Sequence, residues 1–257
     1  MGRILNPYVI RFVSFARKSG KTSLASQIVA KLKSRGYIVG VIKHSYDEID
    51  VADKDSYVYS NAGADVVVVS APSKGAVFYS KWVDDLSHIV RYLTTPIVVV
   101  EGFRDSSMGD SVAIVNKAEE IGSIKSLKNL IAVVASEELA DALRGKHEFK
   151  VFTKSDVDEL ANLVEDKAIS YIESQTPKLN CGYCGFESCR TFAKAFAMGK
   201  TGWCPVKLDV KLIVNDRNVP LNPFVKNALR STIEGFISSL KGVEDNRRRI
   251  VIEINLD

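Results

Sequence analysis

Apolar runs and amphipathic stretches alternate along the first two-thirds of the chain. Residues 8–15, "YVIRFVSF", read as a buried strand. A short basic loop follows, and then "KTSLASQIVAKLKSRG", in which Leu24, Ile28, Val29 and Leu32 fall on one helical face and Gly36 supplies a C-terminal stop. Residues 37–43, "YIVGVIK", form a second buried run, and "DVVVVSA" (65–71) and "GAVFYS" (75–80) read as further strands. "DDLSHIVRYL" reads as a helix with acidic residues in its first turn. "TPIVVVEG" is the most apolar strand of the set and ends in a carboxylate, while "SVAIVN" and "NLIAVVAS" continue the sheet. "VFTKSDVDELANLVEDKAISYIES" closes the series with a short strand and a long amphipathic helix. Strands alternating with helices at this spacing predict an α/β domain whose mostly parallel sheet is flanked by helices.

The pattern breaks at residues 174–180, "SQTPKLN", a polar stretch with one proline, and a domain boundary is expected there. Residues 1–173 form the first predicted domain and 174–257 the second. Beyond the break come a cysteine-rich loop, a helix-like "RTFAKAFAMGK", a strand "KLDVKLIVN" and a turn at "NDRN". A helix "LNPFVKNALRSTIEGFISSLKG", with Pro223 near its start and Gly242 near its end, precedes a final strand "RRIVIEI". These elements predict a small α+β domain organised on its cysteines.

Composition changes this picture little. Of 257 residues, 46% are hydrophobic and 26% charged, as in an ordinary globular protein. A net charge of +4 is too mild to imply nucleic acid, and the one basic run, "NRRR", reads as the solvated edge of the last strand. No apolar run is long enough to span a bilayer, and "MGRILNPYVIRFVSF" reads as a first strand rather than a secretory leader. No membrane partner and a cytoplasmic location are therefore expected. In a reducing compartment four clustered cysteines point to metal rather than to disulfides.

The loop between the first strand and helix, "FARKSGKTS", carries the second half of a phosphate-loop motif. Gly20, Lys21 and Thr22 stand in the Gly-Lys-[Ser/Thr] positions, and Phe15 occupies the place of the first glycine. Backbone N–H groups and a helix N-terminus attract phosphate, so Arg17, Lys18, Ser19, Gly20, Lys21, Thr22 and Ser23 are candidate nucleotide contacts. Lys21 would reach the β- and γ-phosphates and Thr22 would ligate Mg²⁺. A second Mg²⁺ carboxylate is needed at the end of a neighbouring strand, and Glu101 of "IVVVEG" is placed for it. Asp47, Asp50, Asp53 and Asp55 follow His44 in a loop on the same side; Asp50 and Glu101 are the catalytic candidates. No arginine finger or water-positioning glutamine is apparent. For the base, "TKSD" (Thr153, Lys154, Ser155, Asp156) fits a guanine-reading pattern and equally fits a helix cap, and "NKAE" (residues 116–119) fits less well because Glu replaces Asp. The residues alone leave GTP against ATP open.

The phosphate loop, Lys43-His44 ending the second strand, "KDSY", "AGA" (62–64) and Glu101-Gly102-Phe103 together resemble the molybdopterin-guanine dinucleotide biosynthesis protein B (MobB) family over residues 8–170. Members commonly lack the first phosphate-loop glycine. The resemblance implies a phosphate-loop NTPase-type fold that binds GTP and Mg²⁺ and forms a homodimer through the GTP-binding domain. It further implies partners: a molybdopterin guanylyltransferase and a molybdo- or tungsto-enzyme client. By position, Gly20, Lys21 and Thr22 would hold phosphate and metal, and Glu101 would lie near Mg²⁺.

Cys181, Cys184, Cys189 and Cys204 are spaced C-x2-C-x4-C-x14-C. Four thiolates suit Zn²⁺ or an iron–sulfur cluster. Zinc ligands usually come as two short pairs, whereas here three crowd one loop, which a cubane accommodates. "CGYCGFESCRTFAKAFAMGK" followed by Cys204 also resembles the small [4Fe–4S] domain of corrinoid iron–sulfur proteins. The expected protein is a GTP-binding accessory factor of molybdenum or tungsten cofactor assembly, slow in hydrolysis. Its [4Fe–4S] module would serve redox sensing, electron transfer or client docking. An NTP-dependent iron–sulfur scaffold and a zinc-stabilised nucleotide-binding module are the alternatives.

Overall fold

Strand β1 (Tyr8–Ser14) is buried over nearly its whole length and lies at the centre of a six-stranded sheet. The computed structural model describes residues 5–45, 49, 54–145, 148–202, 204, 210, 212–219, 221, 223–244 and 250–255. The sheet order is β2-β5-β1-β6-β7-β8, with β2 (Val39–Lys43), β5 (Ile97–Glu101), β6 (Asp110–Ile114), β7 (Leu130–Ala135) and β8 (Lys150–Thr153). Every neighbouring pair is parallel, as the alternating pattern predicts. Strands buried on both faces read as continuous apolar runs, which is why "IVVVE" and "LIAVVA" carry no alternation.

Helices α1 (Lys21–Ser34) and α5 (Val157–Ser174) cover one face. Ile10, Phe12, Val99 and Ile114 pack there against Leu24, Ile28 and Leu32 of α1 and Leu160, Val164 and Ile172 of α5. The opposite face is closed by α3 (Leu86–Ile89), α4 (Glu137–Leu143) and the connections around them. Two local differences from the sequence reading appear here. The predicted helix over "DDLSHIVRYL" is four α-helical residues, capped by Asp85, followed by a 3₁₀ turn at Val90–Tyr92. Strands β3 (Val66–Ser70) and β4 (Gly75–Tyr79) form a separate antiparallel hairpin, reached through α2 (Asp55–Asn61), rather than extending the main sheet. Its side chains are mostly exposed, so β propensity alone made these strands without a core to bury them.

The connection from β5 to β6 contains no helix. Residues 102–109 pass across β1, and Arg11, fully buried on that strand, supplies the polar partners they need. Its Nε donates to the carbonyl of Met108 (2.9 Å), Nη1 to those of Phe103 and Arg104 (3.1 Å each), and Nη2 to that of Lys128 (2.8 Å). Burial lowers the Arg11 pKa, and the Asp110 and Asp105 carboxylates act against that shift.

Helix α6 (Cys189–Ala197), beyond the predicted boundary, lies on α5 and buries Phe192, Ala193 and Ala197 in the same apolar cluster as Ile28, Leu32 and Ile172. The N–H of Ile38 donates to the Ala197 carbonyl at 2.9 Å. Glu165 of α5 joins the elements: it accepts from Arg35 (2.6 Å) and Tyr37 (2.6 Å), and Lys194 of α6 stands 3.3 Å away. The chain then forms a hairpin of β9 (Leu212–Val214) and β10 (Arg217–Val219), with Asn215 and Asp216 in left-handed conformations at the predicted turn. Helix α7 (Pro223–Ser238) follows. The predicted last strand is a correction: described residues 250–255 pair with no other strand, and residues 251–255 stay exposed, although their sequence alternates.

Two outcomes follow. Arg11→Met strands buried carbonyls and should lower stability by about 3 kcal/mol, read from chemical denaturation midpoints. Burial acts to raise the Glu165 pKa, but hydrogen bonds from Tyr37, Arg35 and Lys194 overcome it and hold the carboxyl below its ordinary value. A depressed carboxyl contributes stability that is present above its unfolded pKa and is lost as pH falls through the folded one. Glu165→Ala should therefore cost about 2 kcal/mol at neutral pH, and thermal unfolding curves of variant and wild type should converge below the ordinary carboxylate range.

Candidate functional site

The carboxyl ends of β1, β5 and β6 converge on the loop that opens α1. Gly20 precedes the helix in the left-handed region (φ 91°), and a side chain there would meet no atom within 4 Å, so the requirement is one of backbone conformation. Lys18 shares that conformation (φ 55°). Ser14, at the end of β1, is a hub the sequence reading missed. Its hydroxyl accepts from Lys21 Nζ at 2.7 Å and from Ser19 Oγ at 2.8 Å, and donates to the Ala16 carbonyl. Its signal was only a small polar residue closing a buried strand. Arg17 and Lys18 stand exposed on the loop, Ser19 is buried, and Ser23 lies in the first turn of α1.

Thr22 Oγ1 donates to Glu101 Oε1 at 2.7 Å. The helix hydroxyl and the strand carboxylate, distant in sequence, thus stand side by side as a pair of oxygen ligands for Mg²⁺ would. Beyond Glu101 the chain turns through Gly102 (φ 105°), where a Cβ would come within 2.7 Å of the His44 Cβ. His44 stacks on Phe103 with ring centroids 4.3 Å apart, and its Nε2 pairs with Asp84 at 2.8 Å. In the sequence Asp84 read only as an acidic residue opening the "DDLSHIVRYL" helix, with nothing to link it to His44. Asp55 opens α2, while Asp47, Asp50 and Asp53 lie outside the described residues.

The two base-reading candidates come together. Asn116, at the end of β6, donates from Nδ2 to the Ser19 carbonyl at 3.2 Å and accepts from Lys154 Nζ at 3.3 Å. The poorer motif thus supplies the residue that ties the "TKSD" loop to the phosphate loop. Asp156 does not cap α5 through its side chain. One carboxylate oxygen instead accepts from the Thr153 N–H (2.7 Å) and hydroxyl (2.9 Å), and these bonds hold its pKa below the ordinary value.

All four cysteines line one cavity, walled by Pro177, Leu179, Phe186 and Phe192. Cys189 and Cys204 are buried, Cys184 is half-buried, Cys181 is exposed, and none is in a disulfide. Asn180 Oδ1 accepts from the Cys189 N–H at 2.8 Å, closing the loop onto the start of α6. Ser188 caps that helix with a reciprocal pair to Thr191. Among the described residues no three His, Cys, Asp or Glu side chains are grouped as ligands of a single metal ion. Four thiols facing an apolar-walled cavity are a donor set that fits an iron–sulfur group.

Fold and site together define a phosphate-loop nucleotide-binding α/β protein with a four-thiol pocket. Residues 9–136 match the family "Molybdopterin guanine dinucleotide synthesis protein B", and residues 177–206 match the family "Putative Fe-S cluster". The "Putative molybdopterin-guanine dinucleotide biosynthesis adapter protein" of Methanocaldococcus jannaschii is 31% identical over 249 residues, covering 93% of this chain and 94% of the relative. A "Probable molybdopterin-guanine dinucleotide biosynthesis adapter protein" of Bacillus subtilis is 26% identical over 51% of this chain and 78% of its own length. The chain belongs to the MobB family and carries an Fe–S family segment. The crystal structure of Bacillus subtilis MobB shares the fold at a TM-score of 0.52 and 21% identity, covering 62% of this chain and 97% of that one.

Gly102→Ala tests the turn behind Glu101. The added methyl group meets both a forbidden φ and the His44 Cβ, so stability should fall by about 2 kcal/mol in denaturant titrations, without any change in the alkylation pattern of the distant cysteines.

Proposed function

We propose that this chain is a guanine-nucleotide-binding adapter in the attachment of guanine dinucleotide to molybdopterin, with a [4Fe–4S] cluster on its four cysteines. The Thr22–Glu101 hydrogen bond is the observation that carries the nucleotide half, because it joins two Mg²⁺-type ligands at the mouth of an anion-binding loop. The names of the relatives support the pathway. Arg17, Lys18, Ser19, Gly20, Lys21, Thr22 and Ser23 would hold the phosphates, with Mg²⁺ at Thr22 and Glu101. Thr153, Lys154 and Asp156, with Asn116 bonded to Lys154, would read the base, Asp156 through the oxygen not turned onto Thr153. Bound Mg²⁺ would neutralise phosphate charge; the chain's own residues orient the nucleotide and shelter it.

The [4Fe–4S] assignment rests on the spacing and on the shared cavity, which presents thiols from the loop, from α6 and from Cys204. Exposure of Cys181 gives the pocket an open side, suited to electron exchange or to contact with a client enzyme. A homodimer through the nucleotide domain is supported by the β3–β4 hairpin, which exposes Val66, Val68, Val69, Val77 and Tyr79. The proposed division of the chain stays at residue 174, and the proposed location is the cytoplasm. Among the described residues no helix is long and apolar enough to cross a membrane.

Anaerobically purified protein should contain about four irons and four acid-labile sulfides per chain and absorb in the visible. One zinc in their place overturns the cluster. The same sample should bind GTP in preference to ATP with Mg²⁺ present, and Glu101→Ala should weaken GTP roughly tenfold in Mg²⁺ but not in EDTA. Equal binding of ATP and GTP overturns the guanine reading.

A further inference from the structure

The contacts around the phosphate loop form a closed circuit. It runs from Phe15 through the loop to Thr22, across the hydrogen bond to Glu101, through Gly102 and Phe103 to Arg104, and back, because the Arg104 guanidinium lies over the Phe15 ring at 5.5 Å from its centroid. Phe15 stands where the motif has its first glycine. Arg104 therefore brings a cation to the rim of the loop, three residues past the Mg²⁺-type carboxylate.

Its placement is costly. Gly102 and Phe103 are both left-handed, and for Phe103 (φ 49°) that conformation is strained by about 1 kcal/mol. The buried Arg11 holds the carbonyls of both Phe103 and Arg104, so the backbone that aims the side chain is fixed from below. The gain to folding from the side chain itself is small. Among the described residues the one ion pair of Arg104 is with its neighbour Asp105 at 3.3 Å, both are well exposed, and such pairs contribute little. A strained, clamped backbone that delivers a weakly used guanidinium to an anion site indicates a ligand for that guanidinium.

We propose that Arg104 is a phosphate ligand supplied in cis, which contacts the terminal phosphate and so distinguishes a nucleoside triphosphate from a diphosphate. The inference rests on the nucleotide reading above and adds a residue to it. Arg104 makes and breaks no bond in this role. Lys21 stands at the start of α1 and Arg104 follows β5 and Glu101 on the other side of the loop, so the outermost phosphate is the one that would meet both cations.

The test compares affinities of wild type, Arg104→Ala and Arg104→Lys for GDP and for a non-hydrolysable GTP analogue in Mg²⁺, with thermal unfolding of each. Arg104→Ala should lose about tenfold or more in affinity for the triphosphate and less than about twofold for GDP, and Arg104→Lys should recover part of the difference. A melting temperature close to wild type is expected for both. Equal losses for the two nucleotides, or no loss, assign Arg104 to packing on Phe15 and overturn the inference alone. Should Arg104→Ala fold poorly, the triphosphate-to-diphosphate ratio of Arg104→Lys decides in its place, since a merely structural arginine leaves that ratio unchanged. A wild-type chain that binds neither nucleotide overturns the nucleotide reading, and this inference with it.

Discussion

A single guanidinium sets the geometry on which the nucleotide side of this fold depends. In most α/β crossovers a helix covers the face of the sheet and satisfies its own backbone. Between β5 and β6 the chain instead crosses β1 in extended and turned form, leaving carbonyls that must find donors in a dry interior. Arg11 provides them from the middle of the strand being crossed, reaching four carbonyls in two separate connections. A lysine, with one compact head, could not span that arc. The same bonds fix where Glu101 ends, where Gly102 turns and where Phe103 meets His44.

This constraint also leaves Glu101 facing the phosphate loop. With no helix after β5, the carboxylate of Glu101 is not buried under a connection and can meet Thr22 directly. The space a helix would take is occupied by Phe103 and Met108, which join the apolar cluster of Val9, Val98 and Val100. Packing and site geometry are two consequences of one buried charge.

Much of this was legible in the sequence. Continuous apolar runs report parallel strands, and Gly20-Lys21-Thr22 between a strand and a helix reports an anion site, because both signals are local. What escaped is non-local. "YVIRFVSF" reads as a buried strand, and nothing in it tells that Arg11 is buried with it rather than turned to solvent. Arg104 and Phe15, or Asn116 and Ser19, meet only once the sheet order is known. Asp156 fits a base-reading pattern by spacing, yet one of its oxygens is turned onto Thr153. Residues 65–71 and 75–80 read as further strands, and they are strands, but their separate hairpin leaves all their valines but Val67 exposed.

The cysteine segment teaches a related lesson about boundaries. The sequence pattern changes near residue 174, in the stretch between the two family matches, which end at 136 and begin at 177, but the apolar core does not stop there. Phe192 lines the thiol cavity and is at the same time packed in the cluster that holds Ile28 and Leu32 of α1, the helix whose first turn is the phosphate loop. Ile38 and Glu165 tie α6 to the start of β2, which leads to His44. A group held by these thiols only in the folded chain must, by linkage, stabilise everything that unfolds with the pocket. Since α1 and α6 share one core, the thiol pocket and the helix that opens at the phosphate loop rest on the same packing.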